Sequence, residues 1–173
     1  MKAIASGLLL IICFVLQSTL FAQFNIGGIL PNLILILTAS IGFRVGRKNG
    51  LIVGFIAGLL ADIFFGNVLG LYAFVYMYLG FMNGSFKRVL LQGDYKLPML
   101  LIAVSDVVYG HIMYILKFLM RGDFHYLYYL RSIMLPELIY TTVMALALFP
   151  LINLIFNLIE KWEKLLEGEE EFE

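Results

Sequence analysis

Residues 3–43 contain no charged side chain, and this uncharged stretch limits the possible folds more than any other feature. An α-helix rises about 1.5 Å per residue, so one helix of that length would be roughly twice as long as the ~30 Å core of a bilayer. Turn-forming residues interrupt the stretch at Asn25–Gly28 and at Pro31–Asn32. We therefore expect two membrane helices here, from about Ala3 to Phe21 and from about Pro31 to Phe43, the second short and tilted or re-entrant.

The rest of the chain alternates apolar runs with short polar loops. Of the 173 residues, 62% are hydrophobic and 14% are charged, which is far from the composition of a soluble domain. Four further helices are predicted, from about Gly50 to Phe65, Leu69 to Phe86, Pro98 to Met120 and Pro136 to Glu160. The sequence thus predicts an all-α, polytopic membrane protein, with six transmembrane helices over residues 1–160 and an acidic cytoplasmic tail over residues 161–173.

Basic residues indicate the orientation. Lys2, the loops after predicted helices two and four, and the segment after helix six hold most of the lysines and arginines. The turns after helices one and three hold none. Short loops rich in Lys and Arg stay in the cytoplasm, so we expect both termini to be cytoplasmic. The last outer loop, with Arg121 and Arg131, is the exception.

A row of glycines leads to a carboxylate in predicted helix three. Gly46, Gly50, Gly54, Gly58 and then Asp62 recur at every fourth position, which places them on one helix face. In a bilayer, such small residues let a second helix approach closely. A carboxylate at the centre of a membrane helix costs about 2.5–3.5 kcal/mol on insertion scales, so this acid is expected to face protein or water. The row either packs within the chain's own bundle or accepts a helix from another protein.

Other polar residues lie within the predicted spans. Gly80 and Gly84 repeat the small-residue spacing on helix four, where Tyr72 and Tyr76 are one turn apart. These tyrosines are expected to line a cavity with the acid of helix three or to satisfy it within a packed bundle. Glu137 lies in the first turn of helix six, where the helix dipole favours a carboxylate.

Enzymatic chemistry is not expected. Asp62, Asp106 and Glu137 are intramembrane carboxylates, but no recognised catalytic spacing surrounds them. His111 and His125 are the two histidines of the chain, and each is isolated in the sequence. We predict no cofactor, no metal site and, without a basic stripe, no nucleic-acid partner.

Several motifs resemble the MreD family of rod shape-determining proteins. They are LQSTL at Leu16–Leu20, GGILPN at Gly27–Asn32, the block from Gly50 to Gly84, and LPELIY at Leu135–Tyr140. The block GFIAGLLAD, followed by LGLYAFVY, is the most specific part. Two positions depart from the family's pattern, because Asn32 stands where an acid is usual and Thr141 where an asparagine is usual.

The resemblance implies a non-enzymatic scaffold or adaptor of the elongasome in the bacterial inner membrane. Its implied partners are an MreC-like single-span protein, and indirectly MreB and the synthases of side-wall peptidoglycan, besides membrane lipids. The implied architecture is a bundle like that of the S-components of ECF vitamin transporters. That likeness keeps open an alternative, in which the chain binds a small solute in an outer cavity. The candidate structural or partner-binding residues are Gly50, Gly54, Gly58, Asp62, Gly70, Tyr76, Gly80, Pro136, Glu137 and Tyr140.

Overall fold

Every regular element in the described part of the chain is a helix. The computed structural model describes residues 2–23, 28–66, 68–87, 96–117 and 125–170. The helices are α1 (Lys2–Gln23), α2 (Leu33–Val45), α3 (Arg47–Phe65), α4 (Leu71–Gly84), α5 (Lys96–Lys117), α6 (Tyr126–Tyr129) and α7 (Leu135–Glu170), with a π-helical turn, Leu130–Met134, between the last two. The predicted all-α class is confirmed. Predictions that concern residues 24–27, 67, 88–95, 118–124 and 171–173 lie outside the described residues.

Helix lengths separate two groups of helices. Within the described residues, four stretches are long and apolar enough to cross a membrane, namely residues 2–19, 47–65, 96–116 and 126–166. The helices α2 and α4 are shorter, with 13 and 14 residues. At about 1.5 Å per residue they are about 20 Å long, less than the ~30 Å hydrocarbon core. Six crossings and an S-component-like bundle therefore remain predictions.

The short helix α2 lies at the centre of the bundle. Its residues from Leu33 to Phe43 are all buried, and it contacts α1, α3, α4, α5 and α7. Because α2 itself contains no charged residue before Arg44, apolar helices can surround it on every side. Gly46 alone separates α2 from α3, at a φ of +118° that a side chain would strain. The two helices therefore form a tight hairpin.

Contacts between distant residues give the directions of the helices. The Asn32 N–H, just before α2, donates to Thr141 Oγ1 in the first part of α7, and Arg44 at the other end of α2 pairs with Glu160 at 3.3 Å, so α2 and α7 run in the same direction. Lys2 joins the same end of the bundle through its 3.4 Å ion pair with Glu160. We call this end, with Lys2, Arg44 and Glu160, the charged end.

The transition from α6 to α7 has a local cause. Leu135 donates its N–H to the carbonyl oxygen of Leu130, five residues earlier, which is the π-helical pattern. Pro136 follows directly, and a proline lacks the N–H that would continue an α-helical ladder and crowds the preceding turn. Helix α7 does begin near the predicted proline, but the residues before it are helical too. Glu137 lies in the first turn of α7, as expected, although the π-helical turn before it continues the helical backbone.

Two boundaries differ from those expected. Helix α3 begins at Arg47, so part of the predicted basic loop forms its first turn. Helix α7 continues through Glu170, ten residues beyond the predicted end at Glu160. The boundary predicted between the transmembrane domain and the acidic tail thus lies inside one helix.

Candidate functional site

The glycine row packs α3 against α4 of the same chain. Gly50, Gly54 and Gly58 are buried, and a Cβ atom on any of them would lie closer than 3.0 Å to the α4 backbone. The neighbouring groups are the backbone of Gly80 for Gly50, of Tyr76 for Gly54, and of Tyr72 and Ala73 for Gly58. Of the two interpretations of the row, the structure supports packing within the chain's own bundle. A helix from another protein would have to displace α4 to use this face.

The second small-residue pair completes the same contact. A Cβ on Gly84 would lie 2.6 Å from the Cα of Arg47, and one on Gly80 would meet the carbonyl of Gly50. Gly42 of α2 approaches the same place, since its Cβ would lie 2.8 Å from the Gly80 oxygen. Three backbones therefore converge where α2, α3 and α4 meet.

Asp62 accepts three backbone hydrogen bonds at the beginning of α4. The N–H groups of Gly70, Tyr72 and Ala73 donate to its carboxylate at 2.9, 2.8 and 2.9 Å. The side chain is 2% exposed. These amides belong to the turn that opens α4 and have no partners within the helix, and the positive end of the helix dipole favours the carboxylate. Asp62 thus caps a neighbouring helix, and backbone amides rather than tyrosine hydroxyls hold it.

Gly70 has a conformational role in this cap. It precedes α4 with a φ of +96°, a left-handed conformation that glycine adopts without strain. Its N–H consequently points toward the carboxylate of α3.

A polar cavity opens at the end of the bundle opposite the charged end. Its volume is about 190 Å³. The lining residues are Gln17, Gly28, Ile29, Leu30, Pro31, Asn32, Tyr76, Tyr109, Ile133 and Glu137. The cavity therefore brings together motifs that are far apart in the sequence. They belong to α1, the segment before α2, α4 and α7. Of the predicted site residues, Tyr76 and Glu137 lie at the cavity, and the glycines and Asp62 lie at the α3–α4 contact.

A chain of hydrogen bonds leads from the cavity into the interior. The Tyr76 hydroxyl donates to the Asn32 side-chain oxygen at 2.8 Å. The Asn32 N–H donates to Thr141 Oγ1 at 3.1 Å. Asn32 and Thr141, the two departures from the family's pattern, are therefore in direct contact.

Asn32 also caps α2. Its side-chain oxygen accepts the Leu35 N–H at 3.1 Å, and Gln17 of α1 accepts the N–H of Ile34 at 3.1 Å. These bonds satisfy two of the amides left open at the beginning of a helix. Two residues of the cavity lining, Gln17 and Asn32, thus also hold the central helix in place.

Replacing Tyr76 with phenylalanine should lower stability by about 1 kcal/mol, because one buried hydrogen bond to Asn32 is lost while the ring is retained. The measurement is the thermal unfolding midpoint of the detergent-purified protein. Tyr78, which is 47% exposed, supplies the matched Tyr→Phe control and should leave the midpoint unchanged. Equal midpoints for both variants would mean that the hydroxyl of Tyr76 contributes nothing.

Other candidates lie elsewhere. His111 bonds to the carbonyl of Val107 and to the hydroxyl of Tyr126, both at 2.8 Å. Asp106 is 3% exposed, and among the described residues its Oδ1 atom has no hydrogen-bond partner. Tyr140 and Pro136 belong to α7 but do not line the polar cavity.

Sequence reasoning missed Gln17 and Tyr109. Gln17 occurs in the LQSTL motif, and a glutamine inside an otherwise apolar span is a signal that was available. Tyr109 lies one turn before Met113 on the buried side of α5, and its ring stacks on that of Tyr76 with centroids 5.4 Å apart. Its position at the cavity depends on how α5 packs, which spacing along the chain does not indicate.

Comparison with known families gives one match. The family model described as rod shape-determining protein MreD matches residues 1–159 of the 173-residue chain. The resemblance drawn from the sequence motifs is thereby confirmed. No curated protein and no solved structure matches the chain significantly.

Proposed function

Because the chain belongs to the MreD family of rod shape-determining proteins, we propose that it is a scaffold or adaptor in the bacterial cell-shape machinery. In this role it binds an MreC-like single-span protein and helps to regulate side-wall peptidoglycan synthesis. The family match over residues 1–159 is the observation that carries the proposal. The proposal is also supported by the positions of the family's motifs, which come together at the α3–α4 contact and around the polar cavity.

We propose an orientation in the bacterial inner membrane with the charged end in the cytoplasm. The basic residues of this end include Lys2, Arg44 and Arg47, and short segments rich in Lys and Arg stay in the cytoplasm. Large apolar side chains are exposed on several helices, including Ile4 at 79% and Ile139 at 64%, as a lipid-facing surface requires. The polar cavity then opens toward the outer side.

The surface proposed for the partner helix is a groove between α1 and α3. The groove has a volume of about 270 Å³ and is lined by Ala3, Ser6, Gly7, Leu10, Asn49, Ile52, Val53 and Ile56. A Cβ on Gly7 would have none of the described atoms within 4 Å. Small residues let membrane helices approach closely, and Ala3 and Gly7, unlike the glycine row of α3, are exposed.

Replacing Gly7 with leucine should reduce co-purification with the MreC protein of the same bacterium at least fivefold, because the side chain fills the groove. The unfolding midpoint of the variant should stay at the wild-type value, since the added atoms meet open space. Leucine in place of Ala147, which is exposed on α7, adds similar bulk outside the groove and should leave binding intact. Undiminished capture of MreC by the Gly7 variant would refute this surface, and absence of any complex with the wild-type chain would refute the adaptor function.

A second function, binding of a small solute, is favoured by the polar cavity. It is compatible with the adaptor function, because the cavity and the groove involve different surfaces.

A further inference from the structure

We propose that the part of α7 beyond the charged end, residues 161–170, is a docking site for a basic cytoplasmic segment of the single-span partner. We call these residues the α7 extension. The extension contacts the residues that flank the partner's transmembrane helix, while that helix lies in the groove between α1 and α3. The inference rests on the proposed adaptor function and adds a second contact to it, on the cytoplasmic side of the membrane.

Helix α7 is longer than a membrane crossing requires. Its 36 residues span about 54 Å, whereas the hydrocarbon core is ~30 Å thick. The charged end, with Lys2, Arg44 and Glu160, belongs at the membrane surface because ionised groups avoid hydrocarbon. Helix α7 continues from Glu160 to Glu170, which is about 15 Å past this surface. The α7 extension therefore reaches into the cytoplasm.

The α7 extension presents an apolar face that the bundle does not cover. Trp162, Leu165 and Leu166 are 60%, 55% and 50% exposed. Spacings of three and four residues place them on one side of the helix. Within the bilayer such side chains face lipid, but here they lie beyond the charged residues that mark its surface. Grouped large apolar side chains in this position indicate a contact with another molecule.

Ion pairs fix the rotation of the extension about its axis. Glu160 and Glu163 pair with Lys2 at 3.4 and 3.5 Å, so this side of α7 is turned toward the beginning of α1. Positions 167 and 170, both glutamates in the sequence, follow Glu163 by four and seven residues and belong to the same helix face. An acidic face thus continues from the bundle into the cytoplasm, beside the apolar face.

The acidic face begins at the cytoplasmic mouth of the groove between α1 and α3. Lys2, which pairs with Glu163, directly precedes Ala3 of the groove lining. The Ser6 hydroxyl, also in that lining, donates to the Lys2 carbonyl oxygen at 2.8 Å. A partner helix in the groove consequently leaves the membrane next to the α7 extension. The two surfaces are continuous, so one single-span protein can contact both.

Charge selects a basic occupant for this surface. Residues 161–173 contain six glutamates and two lysines. The cytoplasmic leaflet is negatively charged and repels such a segment, whereas the cytoplasmic flank of a membrane helix is rich in Lys and Arg. The hydrocarbon stems of these residues pack against Leu165 and Leu166, and the exposed ring of Trp162 attracts their cationic ends. A basic flanking segment therefore matches both faces of the extension.

Photocrosslinking tests the contact directly. The full chain with p-benzoylphenylalanine in place of Leu165 is co-expressed with the MreC protein of the same bacterium and irradiated in membranes, and the joined peptides are identified by mass spectrometry. We expect crosslinks to the Lys- and Arg-rich segment that flanks the transmembrane helix of MreC. Leu154 is the matched control, because it is equally exposed, at 55%, on the same side of α7 but within the bilayer. The probe at this position should give no crosslink to that segment.

Charge exchange tests whether complementarity causes the contact. The combined changes Glu167→Lys, Glu169→Lys and Glu170→Lys should lower the yield of co-purified MreC about tenfold at low salt, because attraction becomes repulsion. Replacing the Lys and Arg residues of the MreC segment with Glu should restore the yield, which a misfolded variant would not allow.

The outcomes separate this inference from the adaptor function. A wild-type complex whose yield is insensitive to the three changes would overturn the inference alone. Crosslinks from position 165 to lipid or to a second copy of the chain, without any to MreC, would do the same. Absence of any complex between MreC and the wild-type chain would refute both proposals.

Discussion

Leucine at position 54 should destabilise the protein by at least about 3 kcal/mol, which is beyond the usual cost of overpacking a core. The reason is that the new side chain would collide with backbone and not with a movable side chain. A Cβ atom at this position would already lie 2.7 Å from the Tyr76 carbonyl carbon and 3.0 Å from the Met77 nitrogen. The helices α3 and α4 would have to separate along their whole contact. The measurement is the unfolding midpoint in detergent, together with the yield of monodisperse protein.

Gly7→Leu is the matched control for this experiment. It adds the same side chain to another membrane helix, at a glycine where the described residues leave open space. We expect it to unfold like the wild type, so the difference between the two variants isolates the effect of backbone contact. A Gly54 variant with wild-type stability would show that α3 and α4 are not held at this distance.

Asp62→Ala should destabilise the protein by about 3 kcal/mol or more. Three amides lose a charged acceptor at once, and each buried donor left without a partner costs about 1–3 kcal/mol. Local opening should be concentrated at the beginning of α4. Hydrogen exchange followed by mass spectrometry should therefore show faster exchange in the peptide that contains Gly70, Tyr72 and Ala73, with little change in α7.

Two variants test whether the carboxylate itself matters. Asp62→Asn keeps the shape but replaces one acceptor oxygen with a donor, so it should lie between the wild type and the alanine variant in stability. Ile63→Ala truncates the adjacent residue, which is 59% exposed, and should not change exchange at α4. If Asp62→Ala and Ile63→Ala gave the same exchange pattern, the cap would have no energetic role.

The all-helical class and the close contact at the glycine row can both be predicted from residue patterns within short segments of the sequence. Uncharged length predicts membrane helices, and a glycine at every fourth position predicts a close helix neighbour, which the structure identifies as α4. Because a carboxylate in lipid is energetically costly, the sequence also predicts that Asp62 faces protein. Its partners, however, are backbone amides of a turn eight to eleven residues later, and no side-chain type marks such groups in a sequence.

The cavity was harder to predict, because its walls come from four helices and the segment before α2. Glu137 and Tyr76 are recognisable as polar residues in apolar spans, but their shared cavity depends on the packing of α5 and on the π-helical turn. That turn arises from Pro136 acting on a chain that is already helical. A proline near the beginning of a predicted helix usually indicates the first turn of that helix. If the residues before the proline are already helical, the proline instead distorts a continuing helical backbone.

The enclosure of α2 has a consequence for how the protein is made. Residues 33–43 leave the ribosome before α3, α4, α5 and α7, which cover much of their surface, and the N–H of Asn32 finds its acceptor in Thr141, 109 residues later. Until the later helices are made, part of the surface of this short helix must therefore contact lipid or the insertion machinery, while the rest packs against α1 and α3. Completion of the fold coincides with the arrival of α7, which makes the last helix the closing step of membrane assembly.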